Sequence, residues 1–217
     1  MDIGILGGTG PAGRGLALRL AAAGVTVTVG SRDAARAESV AGDLVRPWRE
    51  RVPGEVRGAG NERAAAAGLV VLATPWDSAV ATVTGLRDVL AGKVLVSMVN
   101  ALAKEGREML PLVPARGSMA AAVQAALPET RVSAAFHHLP ARDMGDLDSA
   151  LAADVLVCSD DAGATSETMS LVDRIEGLRP LDAGSLSQAL AIEAFTAVCV
   201  TLNIRHKAHS TLKMAGI

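Results

Sequence analysis

A glycine-rich turn set between an apolar strand and a helix is the feature that most restricts how this chain can fold. Residues 4–15 read GILGGTGPAGRG, directly behind the first hydrophobic residues. Glycine weakens strands and helices alike, so a run of this kind belongs where something large and anionic approaches the backbone. Within it Gly8, Thr9, Gly10, Pro11, Ala12 and Gly13 fit the pattern G-x-G-x-x-G. Gly8 permits the tight turn, Gly10 lets backbone approach a pyrophosphate, and Gly13 lets helix and strand pack closely. The alternative is a tight turn that binds nothing; the strand before it and the helix after it favour a dinucleotide.

The rest of the chain continues the alternation. Residues 13–24 place Leu16 and Leu20 at helical spacing with Gly24 as terminator. VTVTVGSR alternates Val25, Val27 and Val29 with threonines, which is a strand, and Asp33 is placed to cap the helix behind it. A loop holding Pro53, Gly58 and Gly60 follows, and then GLVVLATP and KVLVSMVN, continuous apolar runs typical of central parallel strands. Beyond these, SMAAAVQAAL reads as a helix, RVSAAFH and ADVLVCS as strands, and DAGATSETMSLVDRI as a helix. GLRPLDAGSL reads as a turn and SQALAIEAFTAVCVTLNIRHK as a long final helix. The expected fold class is α/β: a Rossmann-type, doubly wound, mainly parallel sheet with a smaller C-terminal α/β part ending in a long helix. Residues 1–130 form the dinucleotide-binding domain in this reading, and residues 131–217 the smaller part.

Composition excludes several function classes. Half of the 217 residues are hydrophobic and a fifth are charged, enough for a sizeable core. Aromatic residues make up 2%, namely Trp48, Trp76, Phe136 and Phe195, so stacking platforms for bases are nearly absent. The formal net charge of -2 gives no global attraction to nucleic acid or acidic membranes. Cys158 and Cys199 sit in apolar runs and read as core residues of a reducing compartment. No basic leader precedes the first glycines, and the most apolar run, near the C-terminus, carries Glu193 and reads as too short to span a bilayer. A cytoplasmic protein without nucleic-acid or membrane partners is the expectation.

The end of the second strand selects the dinucleotide. An NAD site places a carboxylate there for the ribose 2′-hydroxyl. This chain has Ser31 and Arg32, with Arg36 four residues on, so both guanidinium groups share one helical face. Asp33 is better explained as the helix cap. Solvated surface arginines are the alternative, but the position favours NADP(H).

These residues, with the C-terminal third, resemble the NADPH-dependent reductases of coenzyme F-420 (F420), the 8-hydroxy-5-deazaflavin hydride carrier. The resemblance spans nearly the whole chain and rests on GILGGTGPAGRGLALRL, VGSRD, VLATPW, VSAAFHHLPA, ADVLVCSDD and GLRPLDAGSL. It implies NADP(H) on the Rossmann part, the deazaflavin in a cleft beside the smaller part, hydride transfer between them, and a homodimer. By the same resemblance Thr9 to Ala12, Ser31, Arg32 and Arg36 hold NADP, and Thr74 and Trp76 line the nicotinamide side. His137, Leu139 and Ala141 border the place where the two rings meet, and Thr196 faces the deazaflavin. Leu190 and Ala194 depart from archaeal members, which carry arginine and serine at the aligned positions.

Hydride transfer asks mainly for proximity and exclusion of water, which suits a chain with no recognisable triad or carboxylate pair. Residues 98–102, SMVNAL without its serine, supply small walls for stacked rings, with Asn100 among the cofactor-binding candidates; a plain strand-to-loop transition fits as well. His137 and His138 are adjacent at the end of the expected strand and so face opposite ways, which argues against a metal site. One is expected to meet the deazaflavin and the other to lie at the surface. Arg205, His206, Lys207, His209 and Lys213 form either a solvated helix end or an anion patch for the coenzyme tail. Two other functions compete: NADPH-dependent reduction of another small acceptor on this scaffold, and a non-catalytic NADP sensor.

Overall fold

The structure, a computed structural model, describes residues 2–217. In chain order the elements begin β1 (Asp2–Leu6), α1 (Pro11–Ala22), β2 (Thr26–Ser31), α2 (Ala34–Val45), β3 (Val56–Gly60), α3 (Asn61–Ala65) and β4 (Leu69–Leu72). There follow α4 (Trp76–Thr84), α5 (Arg87–Leu90), β5 (Val94–Ser97), the hairpin β6 (Leu102–Glu105) and β7 (Glu108–Pro111), α6 (Met119–Ala126) and β8 (Arg131–Ala134). The chain continues with α7 (Ala141–Met144), β9 (Ala153–Ser159), α8 (Ala162–Asp173), β10 (Leu178–Asp182) and α9 (Ala189–His206).

Eight strands form one sheet in the order β10-β9-β8-β5-β4-β1-β2-β3. From β3 to β8 every pairing is parallel. Numbered among themselves, those strands run 3-2-1-4-5-6, the order of a dinucleotide-binding sheet, with the chain reversing direction between β1 and β4. β9 pairs antiparallel with β8, and β10 pairs parallel with β9, so the sheet crosses position 130/131 without a break. The strands are apolar on both faces because helices cover both. Ile3, Ile5, Val27, Val29, Val71 and Val96 pack with Leu16 and Leu20 of α1 and Leu171 of α8 on one side. Leu6, Val70, Leu72, Leu95 and Val132 pack with α4, α6 and α9 on the other.

Two segments read as irregular are strands. Gly58 and Gly60 belong to β3, where Gly58 serves packing: a Cβ there would lie 2.2 Å from the backbone of Ala37 in α2. GLRPLDAGSL contains β10, whose Pro180 is tolerated because β10 is the edge of the sheet. The strand expected over residues 131–137 stops at Ala134. Leu186–His206, a single 3-10 turn and α9, is long and apolar enough to cross a membrane by length and composition, contrary to the sequence reading. Its apolar residues have partners here, since Ala189 and Ile192 pack with α6.

Glu193 joins α9 to the body of the sheet. Its carboxylate accepts the N–H of Met119 at 2.7 Å and of Ala120 at 3.0 Å, while Ser118 Oγ accepts that of Ala121 at 3.0 Å. The open N–H groups of α6 are thus closed from two directions, one of them supplied by the last helix. Cys158 and Cys199 are free and buried, and burial with nearby carboxylates pushes the Cys158 thiol up to about 12.

Candidate functional site

The site lies at the carboxyl ends of β1, β2 and β4, where the strand order reverses. After β1, Gly7 takes a left-handed turn at φ +67°, and a Cβ there would lie 2.6 Å from Thr74 Cγ2 at the end of β4. A Cβ on Gly13 would lie 2.7 Å from Gly8 Cα, so α1 rests directly on the loop. Gly10 differs. A Cβ there would meet only Gly7 O, at 3.8 Å, and otherwise open space. Gly10 is the N-cap of α1, no side chain caps the helix, and its first turn holds no acidic residue. Pro11 needs no partner at the first helical position, so the amides behind it are left to attract an anion.

A cleft of about 380 Å³ opens here between the glycine loop and α4. Thr9, Gly10, Pro11 and Ala12 form one wall, Thr74 and Ser78 another, and Ser31, Arg32 and Arg36 close its far end. A second groove continues past Arg32 between α3 and α4. Asp33 caps α2 by accepting the N–H of Arg36 at 3.1 Å, and its own N–H donates to Ser31 Oγ at 3.1 Å. That carboxylate is therefore engaged, as expected, and neither Arg32 nor Arg36 has an ion-pair partner among the described residues. Asn61, absent from the sequence reading, lines both grooves and accepts the N–H of Gly7 through Oδ1 at 3.3 Å. An asparagine after a glycine-rich stretch carries no local signal of that contact.

Relatives of known name bear on what such a cleft holds. Residues 2–101 match the family described as NADP oxidoreductase, coenzyme F420-dependent. An F420-dependent NADP reductase of Methanocaldococcus jannaschii is 36% identical over 97% of this chain and 96% of its own length. The chain belongs to the F420-dependent NADP reductase family. The enzyme of that name from Methanothermobacter marburgensis is 35% identical, over 100% of this chain and 97% of its own. A crystal structure of a candidate F420-dependent NADP reductase from Arthrobacter sp. FB24 superposes with a TM-score of 0.80, at 29% identity and 98% coverage of both chains.

In this member of the F420-dependent NADP reductase family, the remaining predicted site residues stand around the cleft rather than in its wall. Trp76 opens α4 and is 41% exposed. Phe136, fully buried, takes a left-handed backbone at φ 66°, which ends the run of β8 and turns the chain into the loop 137–141. Asn100 Nδ2 donates to the carbonyl of His137 at 3.0 Å. Leu139 packs on the core and Ala141 begins α7, which lies on α1. Thr196 is buried in α9 with its hydroxyl donating to the carbonyl of Ile192 at 3.4 Å. Thr74 Oγ1, Asn100 Oδ1 and both ring nitrogens of His137 are buried without a hydrogen-bond partner among the described residues, a concentration of unmet polar atoms just past the carboxyl ends of β4, β5 and β8.

The two histidines are both buried, so the expectation of one at the surface fails. They lie in a turn beyond the strand, where alternation of faces does not apply. His138 Nε2 lies 3.1 Å from the carbonyl of Asp154. Of the five basic residues at the end of α9 and behind it, three are paired with carboxylates, Arg205 with Glu108, His209 with Asp143 and Lys213 with Asp154, while His206 and Lys207 are exposed and have no ion-pair partner among the described residues.

Burial and the neighbouring ring hold His137 down at about 3, so it is neutral at ordinary pH. An unfolded chain takes up a proton there near 6.5 that the folded chain refuses. Stability from this group is therefore lost on acidification below 6.5, at about 1.4 kcal/mol per pH unit. His138, also lowered by burial, adds to that loss. Glu193 has the opposite sign: burial lifts it from 4.5 to about 7, so its contribution is full below 4.5 and lost as pH rises through 7. In urea unfolding between pH 4.5 and 6.5, His137→Leu is expected to flatten the acid loss of the parent and Glu193→Gln to steepen it. Profiles parallel to the parent's would show that neither group is perturbed.

Proposed function

We propose that this chain transfers a hydride between NADP(H) and F420. The observation that carries the reading is an uncapped helix N-terminus whose cleft ends on two arginines with no ion-pair partner among the described residues, in a chain of this family. The residues present fit NADP: the Gly10 cradle receives a pyrophosphate, and Arg32 and Arg36 receive a 2′-phosphate. Bound together, the reduced carrier of the pair would supply a hydride to the oxidised one, and in the direction of F420 reduction a proton would complete the change.

The protein's part is placement. Thr74 and Trp76 border the nicotinamide side of the cleft, and the loop 137–141 closes the region where the rings meet. Neutral His137 sets no cation beside a ring that turns positive as it gives up hydride. Residues 1–130 serve as the NADP half and residues 131–217 as the acceptor half. Leu190, Phe195, Val198 and Leu202, between 38% and 49% exposed along α9, form the face that a cytoplasmic homodimer buries; sedimentation at the monomer mass would refute it.

The deciding experiment mixes purified protein with NADPH and oxidised F420 and follows the loss of deazaflavin absorbance. Turnover is expected. Intact NADPH binding without turnover overturns the reading and leaves the second one, reduction of another small acceptor. Leu190, exposed and apolar where the resemblance implies an arginine, is the feature that favours the latter.

A further inference from the structure

We propose that residues 208–217 form a strap that positions the loop 137–141 for hydride transfer, with His209 and Asp154 as its positioning residues. This rests on reading that loop as the place where the two rings meet. The loop backbone is held at His137 by Asn100, and Leu139 packs on the core, but the His137 ring is left without polar support. Phe136 enters the loop in a left-handed conformation, and the His137 ring has no hydrogen-bond partner among the described residues, so its orientation must come from what surrounds it.

The strap reaches it at two points. His209 Nδ1 donates to Asp143 Oδ1 at 2.6 Å, on the short helix α7 that begins with Ala141. From the other side, Arg19 of α1 donates to the carbonyls of Asp143 at 2.6 Å and Met144 at 3.3 Å. α7 is thus gripped between the helix that carries the glycine loop and the strap. The second point is Asp154, fully buried at the start of β9. Its N–H donates to the carbonyl of Leu212 at 2.8 Å, and its carboxylate accepts Met214 N–H at 2.6 Å and Lys213 Nζ at 3.2 Å. Arg179 donates to both of its carboxylate oxygens and to the carbonyl of Met214. The carbonyl of Asp154 is the partner of His138 Nε2. One segment therefore fixes both the second histidine of the loop and the helix in which the loop ends. The basic side chains at 209 and 213 are there to hold it down.

The test uses the full chain with NADPH and F420, together with amide exchange at Met144 and Gly145, whose N–H groups bond back to Pro140 and Ala141. His209→Ala removes the donor to Asp143, and His209→Asn keeps a donor at the same place. The pair is partly exposed, so both variants fold. In His209→Ala, kcat is expected to fall about tenfold from misplacement of the loop. KM for NADPH, set at the far end of the cleft, stays within about twofold. Exchange at Met144 and Gly145 quickens, and His209→Asn recovers both properties. Unchanged kcat despite faster exchange overturns the proposal, and so does a loss that His209→Asn fails to recover. A chain ending at Ala208 is expected to lose more kcat than His209→Ala while binding NADPH; equal loss would remove Asp154 from the proposal. Should the parent bind NADPH without reducing F420, the functional reading falls, and the exchange contrast between the two His209 variants still decides whether the strap holds the loop.

Discussion

Gly10→Ala is expected to leave the protein folded and to weaken NADPH binding about a hundredfold. The added methyl would find only Gly7 O, at 3.8 Å, and Gly10 has φ −75° and ψ 165°, which any residue adopts. Exchanging glycine for alanine at an N-cap costs at most about 1 kcal/mol, or about 2–4 °C in a chain of this length. The methyl does occupy the space a pyrophosphate needs to meet the amides of α1. Two hydrogen bonds to a charged group contribute about 3 kcal/mol or more, which is two orders of magnitude in Kd. Gly13→Ala reverses the pattern: its Cβ would lie 2.7 Å from Gly8 Cα, so α1 must move and stability falls by about 1–3 kcal/mol. Calorimetric unfolding with and without NADPH separates the two variants. If Gly10→Ala binds NADPH as tightly as the parent, the phosphates do not lie on this loop.

The double variant Arg32→Ala/Arg36→Ala is expected to raise KM for NADPH about a hundredfold and KM for NADH by no more than about threefold. Each guanidinium makes a charge-assisted contact to the 2′-phosphate, taken near the lower limit of about 1.5 kcal/mol because both side chains are exposed. Stability should be unchanged or slightly higher. Arg36 stands in the first turn of α2, where a cation opposes the helix dipole, and its guanidinium has no ion-pair partner among the described residues, the Asp33 carboxylate being engaged as the cap. A cation kept at such a place points to a ligand. Equal increases for both dinucleotides would put the 2′-phosphate elsewhere.

The parts of this site that could be read from sequence are those whose evidence is local. The glycine loop, the Asp33 cap and the arginines behind it fall within a few dozen residues, and each follows from the conformation or charge of its own segment. The parts that could not be read depend on neighbours far along the chain. Gly58 punctuates nothing; it makes room for Ala37. Pro180 breaks no strand because the sheet ends there. His138 is buried because Asp154 waits for it, and Arg205, His209 and Lys213 of the basic tail are paired with Glu108, Asp143 and Asp154, each at least 59 residues away. Asn61 enters the cleft only because β3 ends beside β2.

The bond between Glu193 and α6 also bears on how the chain is made. Synthesis releases the N-terminus first, so every parallel strand has emerged before the carboxylate that closes α6, 74 residues after Met119. Until then the first amides of α6 lack that partner, and the face of the sheet around Val132 and Ala134 lacks the helix that covers it. A nascent chain halted short of residue 193 would hold the whole dinucleotide cleft yet remain an aggregation-prone intermediate. The last helix is thus the step that completes the first half of the molecule, and the two halves should unfold in a single transition.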